Sequence, residues 1–154
     1  MDLVIRADGK WYYQGTVFKR QRLVNLLAKV LICEDDQYYL VSPSEKLRIT
    51  VEDAPFIATD FECSVTDDSQ LIIFGTNVNQ KVQLDDKHPL WMAIPPNGDT
   101  EIPYIRVRDQ LVARLTRSVF YRLTDLGCEH SNNGKQVFGI ESAGTFFELG
   151  AVSW

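Results

Sequence analysis

The sequence has few of the residues that hold metal ions and form disulfides, with three cysteines and two histidines among 154 residues. Cys33, Cys63 and Cys128 are odd in number and far apart, and no CxxC pair occurs. This spacing excludes a disulfide framework and a zinc ribbon, so we expect each cysteine to pack as a small buried hydrophobe in a reducing compartment. His88 and His130 also lack partners at ligand spacing, which argues against a catalytic or zinc-binding histidine.

A long hydrophobic run is also missing. The most apolar segment, 23–32, is interrupted by Asn25 and Lys29 and falls well short of the roughly 20 residues that cross a bilayer. Charged residues such as Asp2 and Arg6 interrupt the apolar core that a signal peptide would need. We therefore expect a cytoplasmic protein without membrane insertion.

An excess of positive charge is the third absence. The 16 Lys and Arg residues face 21 Asp and Glu residues, which gives a net charge of −5 and excludes a general nucleic-acid binder. The 45% hydrophobic content excludes disorder for most of the chain. No GxSxG, GxGxxG or GxxxxGK[ST] motif occurs, so we expect neither an enzyme nor a cofactor.

Alternating apolar residues and turn signals predict a series of short strands. Asp8-Gly9 predicts a hairpin between Leu3–Arg6 and Trp11–Gln14. The regular spacing of later strands favours a curled antiparallel sheet. The further predicted strands are Tyr38–Ser42, Leu47–Val51, Phe56–Cys63, Leu71–Gly75, Lys81–Leu84, Leu90–Ile94, Tyr104–Arg108, Leu111–Leu115, Val137–Ser142 and Thr145–Leu149, and 131–134 is predicted to be a loop.

Two helices interrupt these strands. Thr16 is predicted to cap a helix over 17–32, and Thr116 to cap a helix that runs to about Leu126 and stops at Gly127. The first helix is predicted to bury a stripe with spacings of three and four residues. Its members are Leu23, Leu27, Val30 and Leu31.

The two ends of the chain also resemble each other at a shift of one hundred positions. Each end is predicted to run strand, strand, helix, strand, strand, which indicates a duplicated unit. Coincidence between two common β/α patterns is the alternative. The matched pairs include Ile5 with Ile105, Arg6 with Arg106, Thr16 with Thr116, Leu23 with Leu123 and Ser42 with Ser142, and Leu47 and Ile49 match Phe147 and Leu149.

Several stretches together resemble a bacterial family known as domain of unknown function 1285. They are DGKWYYQG, YYLVSPSEKLRITVEDAPF, FGTN, HPL, PYIRVRDQLVARLTR, FYRL and SAGTFFELG. The resemblance implies an α+β protein of two β-rich units with duplicated β-β-α-β-β motifs, in which the C-terminal half is similar to a pleckstrin-homology barrel. It also implies a ligand site at the interface of the units and a part in signal transduction. We place the units at 1–53 and 54–154.

The strand Tyr104–Arg108 is the most informative local pattern. Side chains alternate along a strand, so Tyr104, Arg106 and Arg108 are predicted to share one face. Guanidinium groups beside a phenol suit a carboxylate or a phosphate, and Arg114 and Arg117 could add charge. A solvated face and ion pairing with the acidic segment described next are the alternatives.

Glu52 and Asp53 precede a proline, which fixes an extended or turn conformation. We expect one of them to pair with an arginine between the units, with a metal site as the alternative. Thr76 and Asn77 could bind a ligand or close a turn. The family resemblance adds Arg20 to the candidate site.

The leading hypothesis is a binding module without catalytic activity, which takes a small anionic molecule or a partner between the two units. One alternative is a protein-interaction scaffold that uses an exposed β edge or the aromatic hairpin of Trp11, Tyr12 and Tyr13. The other is a hydrolase or isomerase with Asp53 or Glu52 as base, which fails if both acids are exposed or held in ion pairs.

Overall fold

The computed structural model describes residues 2–151, and strands dominate it. Strands account for 53% and helices for 11% of the residues, so the protein is mostly β, with less helix than the α+β label implies. In the described range the helices are α1 (Gln21–Lys29) and α2 (Arg117–Thr124). The strands are β1 (Leu3–Ile5), β2 (Trp11–Tyr13), β3 (Thr16–Val17), β4 (Leu31–Glu34), β5 (Gln37–Val41), β6 (Lys46–Val51), β7 (Phe56–Thr66), β8 (Ser69–Thr76), β9 (Lys81–Gln83), β10 (Leu90–Ala93), β11 (Ile102–Arg108), β12 (Leu111–Leu115), β13 (Cys128–Asn132), β14 (Lys135–Ser142) and β15 (Thr145–Ala151).

The first sheet has six strands in the order β3-β2-β1-β6-β5-β4. Its predicted hairpin is confirmed, because β1 pairs antiparallel with β2 and Ile5 lies opposite Trp11. The other edge of β1 pairs in parallel with β6, where Ile5 is aligned with Val51. The sheet therefore draws all its strands from residues before the acidic segment.

The second sheet also has six strands, in the order β10-β11-β12-β7-β8-β9, and β13-β14-β15 form a third. Within the second sheet β12 pairs in parallel with β7, and Ala113 is aligned with Phe56. Helix α2 lies against β7 and β14. The division of the chain at residues 53 and 54 remains a prediction.

Helix α1 is shorter than the sequence predicts. Thr16 is not its cap, because Thr16 and Val17 pair with β2 and the helix begins after Arg20, whose side chain forms no capping hydrogen bond. It ends at Lys29 because Leu31 starts a strand that pairs with β5. The helical spacing over 17–32 does not indicate β3 or β4, because the strands with which they pair, β2 and β5, lie outside that segment.

The buried stripe of α1 also differs from the prediction. Val24 and Ala28 are the buried residues of the helix, whereas Leu23 and Val30 of the predicted stripe are exposed. Apolar residues lie on both sides of this helix, so spacing alone did not determine which side faces the core.

Helix α2 follows the prediction at its start. The Thr116 hydroxyl accepts a hydrogen bond of 3.2 Å from the Val119 backbone N–H, which confirms the predicted cap. The helix ends at Thr124, with Asp125 as its C-cap, before the predicted glycine stop at Gly127.

The duplicated order of elements is supported. Each helix follows a hairpin and precedes three antiparallel strands, β4-β5-β6 in one copy and β13-β14-β15 in the other. The segment predicted to be a loop at 131–134 lies in the hairpin of β13 and β14. Individual pairs diverge, since Leu23 is exposed and Leu123 is fully buried.

The cysteine prediction is wrong for two positions. Cys63 and Cys128 are exposed, and Cys33 is partly buried. Cys63 lies on β7 past Phe61, the last buried residue of that strand, so it lies beyond the edge of the core. Within residues 2–151, no helix is both long and apolar enough to cross a membrane.

Candidate functional site

Asp53 holds two parts of the chain together. It lies in the segment between β6 and β7, and its side chain is only 7% exposed. Its Oδ1 accepts a hydrogen bond of 2.7 Å from the Tyr104 phenol, and its Oδ2 accepts one of 3.5 Å from Arg114 Nη1. Tyr104 and Arg114 lie opposite each other on β11 and β12, so both can reach the same carboxylate. The structure thus brings together three of the predicted site residues.

The Tyr104 phenol is held in its protonated, donating form. Burial raises the pKa of Tyr104, and its hydrogen bond to the Asp53 carboxylate and the negative charge there raise the pKa further. The Arg114 guanidinium lowers this pKa by a smaller amount. The phenol is therefore a fixed donor to Asp53 around neutral pH.

The predicted shared face of Tyr104, Arg106 and Arg108 does not extend to Arg108. The register of β11 against β12 shifts between Arg106 and Arg108, and such a bulge re-aims the side chains that follow it. Arg106 is exposed, whereas Arg108 donates to the backbone carbonyls of Ala28 and Leu31.

Arg108 is a structural contact between the two halves of the chain. One of the carbonyls that it contacts lies in the last turn of α1, and the other lies at the start of β4. A positive charge is favourable at the C-terminal end of a helix. Its guanidinium carbon lies 5.7 Å from the centre of the Phe56 ring. Burial lowers the pKa of Arg108.

Glu52 and Arg20 lie apart from the Asp53 cluster. Glu52 is exposed and accepts a hydrogen bond of 3.0 Å from the Ala7 backbone N–H. Arg20 is exposed at the start of α1. The exposure of Glu52 and the contacts of Asp53 with Tyr104 and Arg114 argue against either acid as a free general base.

Thr76 and Asn77 form a turn that also joins the two halves. The Thr76 hydroxyl accepts hydrogen bonds from the N–H groups of Val78 and Gln80. The Asn77 side chain accepts from the Ile57 N–H at 3.0 Å and donates to the Gly9 carbonyl at 3.1 Å. Both side chains are therefore already engaged by the protein itself.

A cavity of about 490 Å³ lies between the β10–β11 connection and helix α2. Arg114 lines it and so connects it to Asp53, and Arg117 lines it from the first turn of the helix. The residues around it are Pro95, Thr100, Glu101, Ile102, Pro103, Arg114, Leu115, Arg117, Phe120 and Tyr121. The sequence pattern points to the two arginines but not to the aromatic wall, whose only sequence signal is the FYRL stretch of α2.

The metal alternative at the acidic segment receives no support. Among residues 2–151, no three histidine, cysteine, aspartate or glutamate side chains are grouped to hold a metal ion. Asp53 instead meets a phenol and a guanidinium, which are donors and cannot ligate a cation as they stand.

Two family profiles together match nearly the whole chain. "Domain of unknown function (DUF1285), N-terminal domain" matches residues 1–54, and "Protein of unknown function (DUF1285), C-terminal domain" matches residues 55–149. The chain belongs to the DUF1285 family. This confirms the resemblance drawn from the sequence motifs.

Solved DUF1285 structures share the fold of this family member. A DUF1285 protein from Silicibacter pomeroyi DSS-3 is 39% identical with a TM-score of 0.90, and the match covers 99% of this chain and 81% of that one. A DUF1285 protein from Shewanella baltica OS155 is 31% identical with a TM-score of 0.64, over 80% of this chain and 90% of that one. No curated protein matches this chain.

Proposed function

We propose that this protein binds a small organic anion in the cavity between the β10–β11 connection and α2. The observation that carries the proposal is the presence of Arg114 and Arg117 on one cavity of about 490 Å³. The first turn of α2 adds backbone N–H groups without helical partners, which favour an anion. This location replaces the strand face of Arg106 and Arg108 that the sequence predicts.

The charge around the cavity favours a ligand with one negative group. Arg114 already pairs with Asp53, and the Glu101 carboxylate lies on the cavity wall. In the described part of the chain, Arg117 forms no ion pair. A carboxylate or a phosphate monoester therefore fits the site better than a polyphosphate, which would meet repulsion from Glu101.

The remaining wall favours a ligand with an apolar body. Ile102, Leu115 and Phe120 line the cavity, and Tyr121 is 62% exposed at its side. A flat ring against these aromatic side chains would bury apolar area on both partners. The ligand class that we propose is an aromatic or aliphatic compound with a single carboxylate or phosphate group.

Calorimetric titration with benzoate and phenyl phosphate tests this proposal, with benzyl alcohol as the neutral analogue and inorganic phosphate as the anion without a ring. We expect the two ring-bearing anions to bind, and Arg117→Gln to weaken them about ten-fold or more. Arg106→Gln is the matched control, since Arg106 is exposed outside the cavity. Equal binding by both variants, or equal binding of benzyl alcohol, contradicts the proposed site.

We also propose a signalling role, which the position of the cavity beside Asp53 supports. A ligand that engages Arg114 competes with its contact to Asp53, which lies where our proposed units at 1–53 and 54–154 meet. Ligand binding in the second unit would then change the stability of contacts made by the first unit. Hydrogen exchange of the β6 amides, with and without ligand, measures this change. The likeness of the second unit to a pleckstrin-homology barrel remains a prediction, which superposition of that unit alone would test.

A further inference from the structure

The outer face of α1 carries an apolar surface that nothing in the described chain covers. Leu23, Leu26 and Val30 are 39%, 60% and 40% exposed. They are spaced by three and four residues, so Leu23 and Leu26 lie on one side of the helix and Val30, its C-cap, extends that side. Val24 and Ala28 meanwhile bury the opposite side. Helix α1 therefore has one apolar side for the core and a second that faces outward.

A groove of about 390 Å³ continues this surface towards the first hairpin. The rings of Tyr13 and Phe18 stack with centroids 6.3 Å apart, and both residues line the groove together with Val17 and Leu23. A groove of this size accepts a large apolar side chain. The groove and the outward face of α1 together form what we call the α1 surface.

The α1 surface is positively charged in a protein with a net charge of −5. Lys19, Arg20, Arg22 and Lys29 are exposed around it, and residues 18–33 contain no Asp or Glu. None of these four cations forms an ion pair within residues 2–151. Arg20 and Arg22 also lie at the helix N-terminus, where the helix dipole disfavours positive charge. A partner therefore accounts for the placement of Arg20 and Arg22 better than the stability of the helix does.

We propose that the α1 surface docks an acidic amphipathic segment of a partner protein, with one large apolar side chain in the groove of Tyr13 and Phe18. Carboxylates on the segment complement Arg22 and Lys29, and its apolar side covers Leu26. A second copy of this chain is a poor occupant, because it would bring the same cations face to face. A bilayer is also a poor occupant, because the aromatic rings wall a concave groove instead of protruding.

Display of random short peptides tests the proposal, because the library needs no identified partner. The library is selected on the wild-type protein and depleted on Leu26→Glu. Leu26 is 60% exposed, so this variant places a charge in the surface without opening the core. We expect the selected peptides to be rich in Asp and Glu around a large apolar residue. Selection of no such peptides contradicts the proposal.

Anisotropy titration of the best selected peptide supplies the controls. We expect Leu26→Glu to weaken binding about ten-fold or more, and rising salt to weaken it further. Val65→Glu is the matched control, because Val65 is 68% exposed on β7 and should bind as the wild type does. Arg117→Gln should also bind normally, which separates this proposal from the anion cavity. Equal loss in Leu26→Glu and Val65→Glu overturns the docking site.

Two further measurements address the other occupants. Co-sedimentation with phosphatidylglycerol vesicles that is lost in Leu26→Glu and kept in Val65→Glu would assign the surface to a membrane and overturn the proposal. Sedimentation equilibrium in which Leu26→Glu alone abolishes a dimer would assign it to a second copy, with the same result.

Discussion

The Tyr104 phenol donates a hydrogen bond of 2.7 Å to Oδ1 of Asp53. This bond joins β11 to the segment between β6 and β7, and Arg114 binds the other carboxylate oxygen. The carboxylate is thus taken out of solvent with a donor on each oxygen. Such an arrangement stabilises the fold only while both donors remain, because a buried charge that loses a partner keeps its full desolvation cost.

Replacement of the phenol tests this relationship. We expect Tyr104→Phe to lower the free energy of unfolding by about 1–3 kcal/mol, because Asp53 Oδ1 loses its donor while staying buried. Urea unfolding measures the change. Tyr13→Phe is the control, since Tyr13 is 42% exposed, and an equal loss in that variant would contradict the assigned role of Asp53.

The pairing of Asp53 was predictable, and the fate of the arginines was not. A carboxylate before a proline, with a basic strand elsewhere in the chain, favours an ion pair between them. Arg108 could not be placed, because strand alternation assumes an unbroken register and the bulge after Arg106 breaks it. The cavity could not be predicted from the sequence either, because it depends on how Phe120 packs relative to the β10–β11 connection.

The stability effects of substituting Arg108 and Arg106 test whether the two side chains have the different surroundings that the structure shows. We expect Arg108→Met to destabilise the protein by about 1–3 kcal/mol, because the Ala28 and Leu31 carbonyls lose a charged donor. Arg106→Met should change stability little, because Arg106 is exposed. Thermal unfolding of the two variants measures this difference. Similar losses of stability in both variants would contradict the structural role that we assign to Arg108.

Alanine substitutions at Gly9 and Gly15 distinguish the effect of a contact between the two halves from the effect of backbone strain. Both have positive φ, +84° and +82°, but a Cβ on Gly9 would clash with Ile57 Cγ1, and one on Gly15 meets nothing within 4 Å. We expect Gly15→Ala to cost about 1–2 kcal/mol from its conformation alone. Gly9→Ala should cost about 1–3 kcal/mol more, because Ile57 must move. Equal costs in chemical denaturation would show that this contact does not hold the halves together.

The duplicated motif was recognisable in its order of elements but not in each matched pair. Thr16 and Thr116 occupy matched positions, yet only Thr116 caps a helix. We expect Thr116→Ala to cost about 1 kcal/mol of stability and Thr16→Ala to cost much less. Calorimetric melting of both variants checks this, and a comparable loss at Thr16 would mean that the first helix begins earlier than Gln21.

Tyr38 makes the stability of the protein depend on alkaline pH. Burial, together with the smaller effects of the negative charges of Cys33 and Asp36, raises the pKa of Tyr38 from 10.0 to about 12. Between these pH values the folded state binds more protons than the unfolded state, so stability is fully present below pH 10 and falls as pH rises towards 12. We expect Tyr38→Phe to show a shallower fall across this window in urea unfolding, with Tyr13→Phe retaining the wild-type slope. Parallel slopes in all three proteins would mean that the Tyr38 phenol ionises as readily folded as unfolded.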